Sequence, residues 1–154
     1  MANVTTSNPI VLDTASATTI IHQNAGTIVK LVRWVGATTA GLGAEAGPGI
    51  SVKLSALHPR YCRAQRERVL AELLPRLREL CALARGHGMG LAIDAEESER
   101  LDLSLELTER LAGDAALAGW DGLGVVVQSY QKRAPMLVDW LIALARRTGR
   151  RLSV

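Results

Sequence analysis

Apolar residues recur in short runs at four places along the second two thirds of the chain. The runs are residues 50–55 (ISVKLS), 90–94 (GLAID), 122–130 (GLGVVVQSY) and 150–154 (RRLSV). The first run alternates between apolar and polar positions, and the third is rich in β-branched valine, as strands are. The pattern predicts three β-strands and the beginning of a fourth.

Longer segments with a helical period separate these runs. Leucine recurs at three- and four-residue spacing over about residues 63–85, 98–113 and 135–149, which is the pattern of an amphipathic helix. Pro75 lies inside the first segment and is expected to kink or split that helix. Ser98 is a candidate N-cap for the second segment, because its hydroxyl can accept a backbone N–H there.

Strands that alternate with helices predict βαβ units, and therefore a parallel sheet with right-handed crossovers. No predicted strand is followed by GxGxxG or GxxxxGK[ST], which disfavours nucleotide-binding folds of the Rossmann or P-loop kind. The expected fold class is α/β, a partial (β/α)8 TIM barrel with about the first three βα units and the start of strand four.

The first part of the chain differs in composition from the rest. Residues 1–48 are poor in charged groups and are expected to form an N-terminal segment and linker, whereas residues 49–154 would form the half barrel. Within the first part, residues 27–36 (TIVKLVRWVG) suit either a strand or a helix. Residues 41–49 (GLGAEAGPG) are typical of a flexible connector.

Alternation within the strands predicts which side chains share a face. The apolar residues expected to pack against the helices are Ile50, Val52, Leu54, Leu91, Ile93, Val125 and Val127. The late residues of opposite parity are Lys53, Asp94 and Gln128, so all three would point into the barrel. The C-terminal mouth of such a barrel carries the chemistry in characterised members of the fold. A cation, an anion and an amide there predict a polar binding site.

Each of these residues also has a purely structural interpretation. Lys53 and Asp94 suit an ion pair between neighbouring strands, and Gln128 suits a hydrogen bond to a loop backbone. Glu96 and Glu97 follow the end of the second strand and are interpreted mainly as acids of a loop or helix start.

The histidines and two of the aromatic residues are given structural roles. His58 precedes a proline and is expected to form hydrogen bonds within a loop rather than to act as a base. His22 and His87 have no neighbours in sequence that suggest catalysis. Trp120 and Tyr130 are interpreted as packing residues near loops.

Charge and cysteine content limit the classes of partner. The net charge is +3, but the arginines alternate with acidic residues along the predicted helices, which favours solvated helix faces over a nucleic-acid surface. Cys62 and Cys81 lack the spacing of a zinc site or a disulfide framework, so no metal is expected. No run is long enough to span a membrane and no secretory signal opens the sequence, so a cytoplasmic location is expected.

Four blocks of sequence, which include the three inward-facing polar residues, resemble consecutive blocks of one enzyme family. The blocks are residues 47–61 (GPGISVKLSALHPRY), 93–107 (IDAEESERLDLSLEL), 119–133 (GWDGLGVVVQSYQKR) and 139–154 (DWLIALARRTGRRLSV). They are similar to the proline dehydrogenase domain of the bacterial bifunctional proline utilisation flavoenzymes. Residues 1–40 do not resemble the helical region that precedes the barrel in that family.

The resemblance implies a (β/α)8 barrel that holds FAD non-covalently, oxidises L-proline to pyrroline-5-carboxylate and passes the electrons to a membrane quinone. It implies that Lys53 helps to bind the substrate carboxylate and that Asp94 lies beside the flavin and the active site. Gln128 is implied to hydrogen-bond the flavin ring, and Val125 to lie near the same cofactor. Lys53 and Asp94 are therefore the candidate catalytic residues.

The family continues past the position of Val154, with the later barrel strands and an aldehyde dehydrogenase domain. We therefore expect that the chain by itself neither binds FAD tightly nor oxidises proline, and that peripheral membrane association belongs to the full-length family. The alternative is a non-catalytic βα remnant or interaction module that self-associates through open strand edges.

Overall fold

The computed structural model describes residues 25–38 and 43–154. The helices are α1 (Ala25–Thr38), α2 (Gly43–Ala46), α3 (Leu54–Leu57), α4 (Arg66–Gly86), α5 (Leu101–Ala112) and α6 (Ala134–Thr148). The strands are β1 (Gly49–Val52), β2 (Gly90–Ile93) and β3 (Leu123–Val125). Single 3-10 turns cover Arg63–Gln65, Ser98–Arg100 and Ala115–Leu117. His22 lies outside the described residues.

The three strands form one parallel sheet in the order β1-β2-β3. A parallel bridge joins Gly124 to Ser153, and the Ser153 backbone exchanges hydrogen bonds with Leu123 and Val125. The predicted α/β class, the parallel pairing and the start of a fourth extended segment are therefore confirmed. Helices α4 and α5 connect successive strands, as expected of βαβ units.

Two of the strands are shorter than predicted. β1 ends at Val52, and Leu54 begins the single-turn helix α3 instead of continuing the strand. Leu54 and Leu57 are both buried, so their three-residue spacing serves a helical turn, a period that the short alternating run concealed. β3 ends at Val125, so the prediction that the strand extends to residue 130 is wrong.

The long first helix is not split at its proline. A 3-10 turn precedes α4, which then runs through Pro75 to Gly86. Pro75 and Ala71 both lie on the exposed side of α4, so water can reach the Ala71 carbonyl that loses its usual i+4 donor. The predicted split is therefore wrong, because packing of the opposite face keeps the helix continuous, whereas the alternative of a kink at Pro75 stays a prediction.

Helix ends follow the sequence signals in one case and depart from them in another. Pro135 lies in the first turn of α6, and Gly149 ends it in the left-handed conformation with φ 63°, as predicted. Ser98 is not an N-cap. It lies inside the 3-10 turn, where Glu97 holds the capping position without a side-chain hydrogen bond.

The ambiguous segment at residues 27–36 is helical and belongs to α1. Ile28 and Val32 are buried in the main core, and α1 packs against α4. Gly36 permits this approach, since a Cβ there would lie 2.6 Å from the Cβ of His87. The boundary predicted at residue 48 stays a prediction.

The core lies between the sheet and helices α1, α4 and α5. Its largest fully buried side chains include Ile28, Leu73, Leu77, Met89, Leu91, Ile93, Leu107, Leu111 and Leu123. Trp120 is buried with them, and its Nε1 donates to the carbonyl of Met89 at 3.0 Å, so its packing role is confirmed. Tyr130 is 80% exposed, so the packing role predicted for it is wrong.

Candidate active site

The sheet register separates an apolar row from a polar row near the C-terminal ends of the strands. Val52 pairs with Ile93, and Ile93 with Val125. All three are buried towards the helices. The ladder continues by one residue, because Asp94 N–H donates to Val52 and Val126 N–H to Ile93. The next row, on the opposite face, is therefore Lys53, Asp94 and Val126.

Lys53 and Asp94 lie beside each other on this face. Lys53 Nζ lies 3.1 Å from Asp94 Oδ2, and their side chains are 42% and 29% exposed. The ion pair proposed as the structural alternative is therefore present. A pair this exposed contributes about 0–1 kcal/mol to stability, so folding alone gives little reason for two charges at the ends of buried strands.

Gln128 lies three residues beyond β3 and on the same side. Its Nε2 lies 3.5 Å from the carbonyl oxygen of Glu96, and its Oε1 accepts a hydrogen bond from Gln131. The contact with the Glu96 carbonyl is at the outer limit for a hydrogen bond. The Gln128 amide is therefore held near the loop after β2 without being strongly committed to it.

Glu96 is the residue of this region that sequence reasoning missed. Its side chain is 6% exposed. Oε1 accepts from Ser55 N–H at 2.9 Å, and Oε2 accepts from Arg100 Nη1 at 2.7 Å. The four-residue spacing of Glu96 and Arg100 was a usable signal. The bond to Ser55 spans 41 residues, so no local pattern could reveal it.

Arg100 and Tyr61 contact each other next to Glu96. The guanidinium carbon of Arg100 lies 5.7 Å from the centroid of the Tyr61 ring, within cation–π range. The Tyr61 hydroxyl donates to the Arg100 carbonyl at 3.5 Å. Burial, and next the nearby Glu96 charge, raise the pKa of Tyr61 well above its usual range. Tyr61 is therefore a neutral donor at physiological pH.

Two adjoining depressions meet at these residues. An open groove is lined by Lys53, Ser55, Glu96, Gln128 and Tyr130. The second, narrower depression reaches between α5 and α6, and its lining includes Tyr61, Asp94, Glu96, Arg100, Leu105, Val125, Gln128 and Leu137. Val125 thus reaches the region from the helical side, whereas Lys53 and Asp94 reach it from the opposite face of the sheet.

The remaining candidates have structural surroundings. His58 is buried, its Nδ1 accepts from Arg60 N–H at 3.3 Å, and its Nε2 lies 3.1 Å from Glu72. The expected role as a loop hydrogen-bonder is confirmed. Cys62 is exposed and Cys81 is buried, both as free thiols. Burial raises the pKa of Cys81 to about 12, so this thiol is unreactive at neutral pH.

Residues 25–38 and 43–154 contain neither a cluster of potential metal ligands nor a membrane-spanning helix. No group of three or more potential metal-ligating side chains occurs within these ranges. None of the helices in them is long and apolar enough to cross a membrane.

The sequence matches a known family over almost its whole length. The profile of the proline dehydrogenase family matches residues 3–154. The chain belongs to the proline dehydrogenase family. The family resemblance inferred from the four sequence blocks is thereby confirmed.

Relatives in this family are much longer than the chain. It is 56% identical over 125 residues to the bifunctional protein PutA of Escherichia coli K12, a match that covers 81% of the chain and 10% of that protein. It is 57% identical over 114 residues to the corresponding protein of Rhizobium meliloti, covering 74% of the chain and 9% of that protein. The chain therefore spans about a tenth of the length of these relatives.

Solved structures of the same family share the fold. A structure of proline utilization A with proline bound in remote sites aligns with a TM-score of 0.81 and 40% identity, covering 87% of this chain and 14% of that one. A proline utilization A structure from Bradyrhizobium japonicum aligns with a TM-score of 0.81 and 39% identity, covering 88% and 14%. The α/β arrangement of the chain is thus that of a proline dehydrogenase domain.

Proposed function

We propose that the chain forms the first βα units of the (β/α)8 barrel of an FAD-dependent proline dehydrogenase, which oxidises L-proline to pyrroline-5-carboxylate. The observation that supports this most is the placement of Lys53, Asp94 and Gln128. They follow three consecutive parallel strands at the same end of the sheet. In a (β/α)8 barrel that end carries the active site.

Lys53 is the proposed partner of the proline carboxylate. Its ammonium group is part-exposed, and its salt bridge to Asp94 balances its charge while no substrate is bound. A substrate carboxylate can share the ammonium group with Asp94, because an ammonium group has three donors. Asp94 thereby keeps the Lys53 side chain directed at the site and limits the net charge there. Orientation of this kind is the protein's part of a cofactor reaction.

The residues present fit a flavin. The row Ser51, Ala92, Gly124 and Ser153 has only small side chains on the face that carries Lys53, which leaves room for a planar ring. Gln128 beside it offers both an amide donor and an amide acceptor, as the edge of a flavin ring requires. FAD, when bound, would supply the redox chemistry by taking up the hydride that leaves the proline ring carbon. The proton from the substrate nitrogen is released to solvent.

Val125 is proposed to influence the cofactor indirectly, by fixing the end of β3. Val125 is buried, with 5% of its surface exposed. It lines the narrower depression together with Leu105 and Leu137. It anchors the chain at the end of β3, from which Val126 and Gln128 continue towards the other face. Transfer of the electrons to a quinone, and delivery of the product to an aldehyde dehydrogenase domain, are proposed for the full-length protein.

A chimera tests this function. In the chimera, the 125 aligned residues of this chain replace the matching segment of the Escherichia coli PutA protein. We expect proline-dependent reduction of a dye by the chimera. Lys53→Met should raise the KM for proline on the order of tenfold or more, because a charge-assisted contact is lost. Lys30→Met, on the exposed side of α1, is the matched control. A chimera that binds flavin but leaves proline unoxidised would contradict the proposal.

The chain alone serves as a second comparison. We propose that the chain does not oxidise proline by itself, so that adding proline to it causes no reduction of the dye. The alternative of a self-associating module predicts a dimer or larger species in sedimentation experiments. A monomer would exclude that alternative.

A further inference from the structure

Glu96 lies where the segments that follow all three strands meet. Its carboxylate accepts from Ser55 N–H, after β1, and from Arg100, which follows β2. Its backbone carbonyl faces the amide of Gln128, after β3. Ser55 is two residues from Lys53, and Glu96 is two residues from Asp94. The buried side chain therefore connects the segments after β1 and β2 that carry Lys53 and Asp94, and the backbone carbonyl of the same residue lies 3.5 Å from the side-chain amide of Gln128.

The charge of Glu96 is satisfied on both oxygens. A buried ionised carboxylate costs several kcal/mol to desolvate unless it is paired and hydrogen-bonded. Here one oxygen accepts from a backbone N–H and the other from a guanidinium. Because both partners are donors, a neutral amide in place of the carboxylate would set its own N–H₂ group against one of them.

The neighbouring Glu97 shows that a charge near Arg100 is not sufficient. Glu97 Oε2 lies 3.1 Å from the same guanidinium, but its side chain is 62% exposed. Its carboxylate therefore pairs with Arg100 from the solvent side, whereas that of Glu96 reaches inward to Ser55. The two glutamates carry the same charge and differ in burial and in their contact with Ser55.

We propose that Glu96 is a positioning residue, which fixes Lys53 and Gln128 relative to each other across the mouth of the sheet. This inference rests on the proposed function, because Lys53 and Gln128 are the groups that it positions. Glu96 does not touch the reacting atoms. Its effect reaches Lys53 through the Ser55 backbone and Gln128 through its own carbonyl.

The test compares Glu96→Gln with Glu97→Gln in the chimera described above. Glu96→Gln should raise the KM for proline and lower kcat/KM on the order of tenfold or more, since small displacements of positioning groups carry penalties of this size. It should also shift the visible absorbance of the bound flavin, because loss of the side-chain contacts displaces the Glu96 backbone and with it the carbonyl that faces the Gln128 amide. Glu97→Gln removes the same charge from the same guanidinium and should resemble the unsubstituted chimera in both measurements.

Hydrogen exchange supplies a readout that needs no turnover. The Ser55 amide should exchange faster in Glu96→Gln than in Glu97→Gln, because it loses its carboxylate acceptor. If Glu96→Gln fails to fold, Arg100→Lys takes its place. This variant keeps the positive charge but loses the guanidinium. We expect smaller changes in the KM for proline, in the flavin absorbance and in the exchange rate of the Ser55 amide.

The outcomes separate the two proposals. An inert unsubstituted chimera would overturn the proposed function, whatever the Glu96 variant does. An active chimera in which Glu96→Gln lowers only the melting temperature, with KM, flavin absorbance and Ser55 exchange unchanged, would overturn the positioning role alone.

Discussion

The two faces of the central sheet are built from the same strands and have opposite properties. Towards the helices, β2 and β3 present Leu91, Ile93 and Leu123, all essentially inaccessible to water. The other face carries small residues in register, namely Ser51, Ala92, Gly124 and Ser153. It then carries charged and polar groups where the strands end. One face packs into the core, and the other is lined by small and polar side chains.

This contrast explains why the end of β2 changes character within one residue. Ile93 closes the buried row, and Asp94 opens the polar one on the opposite face. Burying apolar area contributes roughly 25 cal/mol per Å², whereas the exposed Lys53–Asp94 pair adds little. Substitutions on the two faces should therefore affect different measurements.

The largest effect is expected from the helix-facing row. Leu91→Ala should lower the free energy of unfolding by about 2–5 kcal/mol, because it leaves a cavity in close-packed surroundings. Ser51→Ala, on the exposed face of β1, should stay within about 0.5 kcal/mol of the parent chain. Urea unfolding followed by circular dichroism measures both. Equal losses for the two variants would break the distinction between the faces.

Arg150 joins the start of the fourth extended segment to the chain at and after the end of α5. Its guanidinium donates to the carbonyls of Leu117 and Asp114 at 2.6 Å each, and to that of Ala112. Arg150→Met should cost about 1.5–3 kcal/mol, since hydrogen bonds to a charged group are lost. Arg146→Met, on the exposed side of α6, is the control.

Arg150→Met should also speed hydrogen exchange at Ser153, which pairs with β3. Unchanged protection of Ser153 in a destabilised variant would show that Arg150 supports the helical layer only.

A glycine at the start of β3 tests how tightly the helix-facing side is packed. A Cβ on Gly122 would lie 2.7 Å from the carbonyl oxygen of Met89 and against the indole of Trp120. Gly122→Ala should therefore cost about 1–3 kcal/mol by overpacking. Gly86→Ala has open space around the new Cβ and should be neutral or stabilising by up to about 1 kcal/mol. Melting temperatures of the two variants make the comparison, and a stabilised Gly122 variant would contradict it.

The smallest effect concerns Asp114, a largely buried carboxylate outside the sheet whose side chain is 12% exposed. The N–H of Ala116 donates to Asp114, which with the nearby Arg78 lowers the pKa of this carboxyl. The folded pKa is below the unfolded one, so the stabilisation is complete above about pH 4 and is lost as the pH falls through the folded value.

Asp114→Asn should therefore lower stability by up to about 1 kcal/mol at pH 7, and the difference should disappear at strongly acidic pH. Denaturation at a series of pH values measures it, with the exposed Asp121→Asn as the control. A difference that persists at low pH would mean that the charge is not its cause.

Much of the fold could be predicted because its signals are local. The leucine spacing of α4 and α5, the Pro135 and Gly149 signals of α6 and the apolar run of β2 all lie within a few residues of the structure they specify. The errors arose where tertiary packing decided between alternatives. Leu54 suited a strand by parity but begins a helical turn, and Pro75 suited a helix break but lies on a solvated side.

The candidate site also contains residues that local sequence predicted and a residue that it did not. Parity placed Lys53 and Asp94 on one face, and the structure brings their charged groups to 3.1 Å. Glu96 was interpreted as a loop acid, because its decisive partner, the Ser55 backbone, is distant in sequence. Parity likewise predicted that Val125 faces the helices, and Val125 is 5% exposed whereas its neighbour Val126 is 40% exposed.

The sequence by itself determined the alternation of strands and helices, the parallel sheet and the row of residues that could meet at its C-terminal end. These follow from side-chain periods of two and 3.6 residues, which every local segment carries. Only the tertiary structure decided which backbone N–H meets Glu96, how close Gln128 comes to it, and where each strand stops. Those depend on contacts between residues far apart in the chain, which form only when the layers pack together.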